Sequence, residues 1–451
     1  MRILIQIRPV PDVTSAVIHD PEKQTAADVA GDLPGVELDE SYPPVALPKP
    51  VPKADDGDPL SMHQAMTFSL EPDSASVLVR GEIADDDVAS RRARLSASNP
   101  DIVGIFSDPV IETMPVCPGD GPSGTWQDVG DRLKVPELLA HGMDGAGVPI
   151  AVVDTGINAD HLVTAGAEIA VDAARSWTPA SASHTPGRFD VGHGTMCAFA
   201  AGIAAPQAAL LDIALLRTRR RARNRMEALT SDGIVAFAYL RTILESMEQD
   251  HKALVVSSNS WGSYDPAWDF PVGDPANYSD NLSHPFNIVV GALESAGADI
   301  LFAAGNCGRP CPSGKCVYSE RTIVGANSHP DVLSIGGVDI QDERVGYSSQ
   351  GPGRLDRHKP DICAYTHFLG SEVYGPGSAD SGTSTACPVA AGVLAAIRSR
   401  FPCGTISPEA MREMVRGAAN DVTGRGFTDD YGHGIVSVPG LLEKLGVQGL
   451  I

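Results

Sequence analysis

Beyond residue 145 the chain is a series of short apolar runs, each closed by glycine or a small polar residue. The runs at 150–153, 211–216, 253–257, 300–303 and 332–335 are apolar at successive rather than alternate positions, as in strands covered on both faces. Between and after them, 193–204, 232–248, 286–296, 388–397 and 408–418 carry the spacing of buried helices. Strand and helix in alternation predict an α/β fold with a mostly parallel central sheet.

The pattern upstream is different. Residues 77–83 alternate like a strand, 85–98 read as a charged amphipathic helix and 102–106 as a second strand, which predicts a small α+β unit over 71–114. Residues 1–70 are rich in proline and acid, and the proline spacing over 42–53 favours extended chain, although 3–7 reads as a strand. A Gly/Pro-rich linker at 115–125 separates this region from 126–451.

Composition narrows the function. With 34 basic and 57 acidic residues the net charge is −23, which argues against nucleic acid or an anionic membrane surface as the main partner. No apolar stretch is long enough to span a bilayer. The first residues lack an apolar core followed by a small-residue cleavage site, so cytoplasmic residence is the expectation, with leaderless export left open. Eight cysteines do not make a disulfide scaffold in 451 residues. Cys307, Cys311 and Cys316 cluster, and reduced thiols, a local disulfide or an incomplete zinc set all fit that spacing. Cys387 reads as a small buried apolar residue.

Three segments carry chemistry. Ser384 sits between a glycine turn and the apolar helix 388–397, among free backbone N–H groups at the positive end of a helix dipole. Taken alone it is equally an N-cap. Asp154 ends the run 150–153, at the sheet edge where open α/β proteins gather their sites, and Gly156 frees the chain to turn. His193 stands between glycines at a helix entrance. Together they supply an acid, a base and a nucleophile.

Asp154-Thr155-Gly156, His193-Gly194-Thr195 and Gly382-Thr383-Ser384-Thr385-Ala386-Cys387-Pro388 resemble the three active-site motifs of the subtilisin-like serine proteases. Ala303-Ala304-Gly305-Asn306 is similar to the family's oxyanion segment, and Tyr431-Gly432-His433-Gly434 to its closing pattern, so the resemblance spans about residues 126–445. It implies a three-layer subtilisin-like fold and a serine endopeptidase working through an acyl-enzyme. Ser384 would be the nucleophile, His193 the base and Asp154 its orienting acid, with Asn306 and the Ser384 N–H as oxyanion donors.

The resemblance further implies that Ser260, Trp261 and Gly262, with Ala304 and Gly305, line a cleft for an extended peptide. Trp261 stands where the family often has leucine, and its side chain is expected either to narrow a subsite or to pack inward. The unit at 71–114 is expected to be a propeptide-like inhibitor of a zymogen, its tail 108–115 lying in the cleft. Peptide or protein substrates and the chain's own N-terminal region are thus the expected partners. Catalysis would need no cofactor. Calcium commonly stabilises the family, yet no segment matches a calcium loop. The same acyl-enzyme would serve a peptide ligase or macrocyclase, and a non-cleaving pseudoprotease would keep only the cleft. The basic run 217–225 departs from the family pattern and reads as a solvated loop, a docking surface for acidic residues or a self-cleavage loop.

Overall fold

The structure, a computed structural model, describes residues 1–52, 66–84, 88–117, 121–218, 227–248 and 252–451. The chain forms two compact units: Met1–Val110 with Leu229–Ala238 and Pro266–Ser295, and Ile111–Ala228 with Tyr239–Asp265 and Ala296–Ile451. All of the basic run after Thr218 lies outside the described residues.

In the first unit β1 (Arg2–Ile7), β2 (Val36–Leu38), β3 (Val45–Leu47), β4 (Ser76–Ile83) and β5 (Ile102–Ser107) form an antiparallel sheet. Its order is β2-β4-β1-β5, with β3 also on β4. Helix α1 (Val88–Ser98) connects β4 to β5, so the expected strand–helix–strand unit is present. Its central strand, however, is β1, with Ile3 facing Gly81 and Ser107. Residues before 70, expected to be a partly extended Pro/acid-rich segment, therefore supply strands to the same sheet. Burial explains the pairing: Ile3, Leu4, Ile5, Val77, Leu78 and Val79 are all fully enclosed.

The second unit is built on a parallel sheet of β6 (Pro149–Val153), β7 (Ala170–Val171), β8 (Ala209–Ile213), β9 (Leu254–Asn259), β10 (Ala298–Ala303), β11 (Leu333–Val338) and β12 (Ile362–Tyr365). The order is β7-β8-β6-β9-β10-β11-β12, and every pairing is parallel. The order reverses direction at β6, and such switch points are where α/β sheets open a crevice at the carboxyl ends of their strands. Helices α2 (His193–Gly202) and α3 (Thr383–Arg398) pack into the core, and α3 is buried from end to end. The run expected as a strand at 211–216 is β8, which ends at Ile213 before a turn of 3-10 helix at Leu215–Arg217.

Candidate active site

The local chain geometry follows from small residues. Gly156, at φ 93°, turns the chain after β6, and a Cβ there would lie 2.3 Å from the Phe189 ring. A Cβ on Gly194 would meet the Gly156 carbonyl oxygen at 2.5 Å, so glycine at both positions lets the start of α2 lie against the β6 turn. His193 Nδ1 then lies 2.8 and 3.0 Å from the two carboxylate oxygens of Asp154. Asp154 is fully enclosed, and its Oδ1 also accepts the Thr155 N–H at 2.7 Å.

Burial pulls the His193 pKa down, but the adjacent Asp154 charge pushes it up and prevails, leaving it well above its ordinary 6.5. The imidazole is thereby a stronger base than a free one, with Nδ1 committed to the carboxylate.

Ser384 lies in the first turn of α3 and is buried. Pro388, four residues on, has no N–H to donate, so the Ser384 carbonyl has no intrahelical partner there. It accepts instead from Ser260 Oγ at 3.1 Å and from the Cys197 thiol at 3.3 Å. Cys197 Sγ is also 3.8 Å from both Asp154 Oδ2 and His193 Nδ1, so one buried thiol touches all three segments. Among the described residues no hydrogen bond joins the Ser384 hydroxyl to His193. The structure brings acid and base together and places the serine beside the same thiol.

Asn306, expected as an oxyanion donor, follows β10 and Gly305, whose φ is 95°. Its Oδ1 accepts the Thr383 N–H at 3.0 Å and the Thr383 hydroxyl at 3.1 Å, while Gly305 N–H donates to that same hydroxyl at 3.0 Å. The amide orientation is thereby held, and Nδ2 donates to the Met114 carbonyl oxygen at 2.8 Å. Gly382, at φ 87°, lets α3 begin against this amide, since a Cβ would stand 3.1 Å from Nδ2.

The other expected cleft residues divide. Gly262 pairs with Glu112 as in an antiparallel sheet, Glu112 N–H donating at 3.0 Å and Gly262 N–H returning at 3.1 Å. Ala304 donates its N–H to the Ile335 carbonyl at 2.9 Å and is buried. Trp261 takes the inward course. Its side chain is fully buried, its indole N–H donates to the Val153 carbonyl at 2.9 Å, and it meets the Phe302 ring edge-on at 5.3 Å. An aromatic residue with a satisfied N–H is a packing element here. Asn327, not anticipated, links the segments by donating to the Trp261 and Ala303 carbonyls at 2.8 and 2.9 Å.

Of the expected tail 108–115, Asp108 belongs to the first unit. It accepts from Thr230 Oγ1 and Ser231 N–H at 2.8 Å each, capping the start of a helix. Residues 111–117 belong to the second unit, where Glu112 and Met114 make the contacts above. Of the three cysteine readings the structure contains disulfides: Cys307–Cys316, and a longer bridge from Cys311 to Cys117 in the expected linker. Cys197, Cys117, Glu112 and Met114 act through contacts with distant segments, and no local spacing marks them.

Among the described residues, Asp154, His193 and Cys197 form the one group whose donor atoms could converge on a metal. Calcium takes oxygen ligands, so this nitrogen- and sulfur-containing set does not fit it.

A three-layer α/β fold with a carboxylate-held imidazole and a helix-start serine is the frame of a serine hydrolase. The profile of the subtilase family matches residues 145–434, and the chain belongs to that family. It is 26% identical over 313 residues to subtilisin DY of Bacillus licheniformis, an alignment covering 68% of this chain and 94% of the relative. It is 28% identical over 319 residues to the human membrane-bound transcription factor site-1 protease, covering 68% of this chain but 26% of that protein. Among solved structures it is similar to fervidolysin from Fervidobacterium pennivorans, a keratinolytic enzyme related to subtilisin. There the TM-score is 0.58 at 15% identity, over 98% of this chain and 60% of the other. The protein is a subtilisin-like serine peptidase.

Proposed function

We propose that the chain is an endopeptidase in which Ser384 attacks the scissile carbonyl, His193 takes its proton and returns it to the leaving amine, and Asp154 holds the imidazolium. The developing oxyanion sits between Asn306 Nδ2 and the Ser384 N–H. The observation that carries this reading is the 2.8 Å bond from Asn306 Nδ2 to the Met114 carbonyl: a peptide carbonyl already occupies the oxyanion donor, on a strand aligned by Gly262. The same bond supports a zymogen in which residues 111–117 lie in the cleft as a substrate mimic.

Residence is a separate proposal. Two disulfides weigh toward an oxidising compartment, since cytoplasmic thiols are kept reduced, and against the cytoplasmic expectation.

A fluorophosphonate probe tests the chemistry. It is expected to label the N-terminally processed protein covalently and to fail on Ser384→Ala. Labelling that persists in Ser384→Ala contradicts the assignment. Terminal sequencing tests the zymogen: processing is expected within residues 107–125, and a fully active enzyme that still begins at Met1 refutes it.

A further inference from the structure

The loop that follows Asn306 is closed into a small ring by Cys307–Cys316, and it carries Lys315. Both features face the segment 111–117. The Met114 side chain is buried in a cluster with Tyr264 and Cys307, with Cys316 packed against it. Its thioether sulfur lies 3.6 Å from Cys307 Sγ and 3.5 Å from Cys316 Sγ. Two residues earlier, the nearly buried Glu112 carboxylate pairs with the Lys315 ammonium.

The register is fixed by backbone contacts. Asn306 receives the Met114 carbonyl, and Gly262 pairs in both directions with Glu112. Alternate residues of an extended strand lie on one side, so Met114 and Glu112 present their side chains to the same loop.

We infer that the ring 307–316 is the enzyme's specificity element: its disulfide and Tyr264 form the subsite for an unbranched apolar residue, methionine foremost, immediately before the cut, and Lys315 selects a carboxylate two residues earlier. The inference rests on the reading that Asn306 marks the carbonyl under attack. Methionine suits this site because its flexible, polarisable side chain fills irregular space and packs well on sulfur and aromatic edges. A charged residue there would be buried without a partner, at a cost of several kcal/mol. Lys315 supplies positive charge beside this segment. At a net charge of −23 the protein repels acidic peptides at long range, so recognition of a carboxylate needs a cation placed at the cleft.

The full-length chain supports the test, because its own segment is the first ligand. Met114→Asp and Glu112→Lys should each displace the segment and speed fluorophosphonate labelling by about tenfold or more. Glu112→Lys combined with Lys315→Glu should restore slow labelling. The Met114→Asp chain, checked for folding by circular dichroism, is then given peptides containing Glu-Thr-Met-Ala, Lys-Thr-Met-Ala and Glu-Thr-Asp-Ala. Cleavage after methionine with glutamate ahead is expected to win by about tenfold in kcat/KM, and adding Lys315→Glu should invert the glutamate-to-lysine ratio. If the proteins label and cleave but that ratio does not move, or aspartate replaces methionine without loss, the specificity inference is overturned while the hydrolase reading stands. If no variant labels at all, the hydrolase reading falls, and this inference with it.

Discussion

At the level of single residues, on the proposal that His193 is the catalytic base, its pairing with Asp154 sets the working pH. A base must be neutral to take the serine proton, and the Asp154 charge holds His193 protonated to a higher pH than a free imidazole. The acid limb of the kcat/KM profile is therefore expected above pH 6.5, and Asp154→Asn should move it downward while lowering the rate. A limb at or below 6.5 in the processed enzyme would refute the coupling. The linkage to stability has the same origin. Because the folded pKa is raised, the charged pair stabilises fully below the unfolded imidazole value, and that contribution is lost as pH rises through the folded value. The candidate residues were singled out in the sequence to the extent that chemistry restricts them. Asp154, His193, Ser384 and Asn306 each lie within two positions of a glycine. Thr383 and Cys197 were not legible in these roles, because what they do depends on Asn306 and Ser384 at the far ends of their contacts.

Within the apolar core, one buried ion pair ties a helix to the sheet. Helix α3 ends in Arg398, whose guanidinium makes two bonds of 2.6 and 2.7 Å to Asp299 on β10, with both side chains enclosed. It also donates to the Phe401 carbonyl at 3.1 Å. Asp299→Asn would leave that cation buried without its anion, and a loss of about 3–5 kcal/mol is expected. Replacing both partners by apolar residues of similar volume (Arg398→Met with Asp299→Leu) should cost much less, because no lone charge remains. Guanidinium denaturation of the three proteins separates the cases, and equal losses in both variants would show that packing rather than charge dominates. The strands flanking this pair could be read from sequence because each carries a short, mostly apolar run. Strand β1 gave a weaker signal and β7, at two residues, almost none. Such short elements are fixed by a partner remote in the chain: β1 pairs with residues near 80 and near 105, and no local window contains that information.

For the molecule as a whole, the bridge from Cys117 to Cys311 is the longer-range of the two described disulfides, tying positions 194 residues apart. Closing so long a loop removes much of the freedom of the unfolded chain, a chain-entropy effect on the order of 5 kcal/mol at most, with native bridges commonly contributing about 2–5. The bridge also sits three residues beyond Met114, so on the proposed zymogen reading it keeps the segment at high local concentration beside Asn306. These effects are separable. Replacing both cysteines by serine is expected to lower the thermal midpoint and, at temperatures well below it, to speed fluorophosphonate labelling of Ser384, because the segment leaves the cleft more often. A lowered midpoint with unchanged labelling would mean that the bridge secures the fold but not the segment. Faster labelling with an unchanged midpoint would assign it to latency alone. The same comparison in a reducing buffer, against the serine variant, shows whether breaking this bridge accounts for the whole response, since the variant should then gain nothing from the reductant.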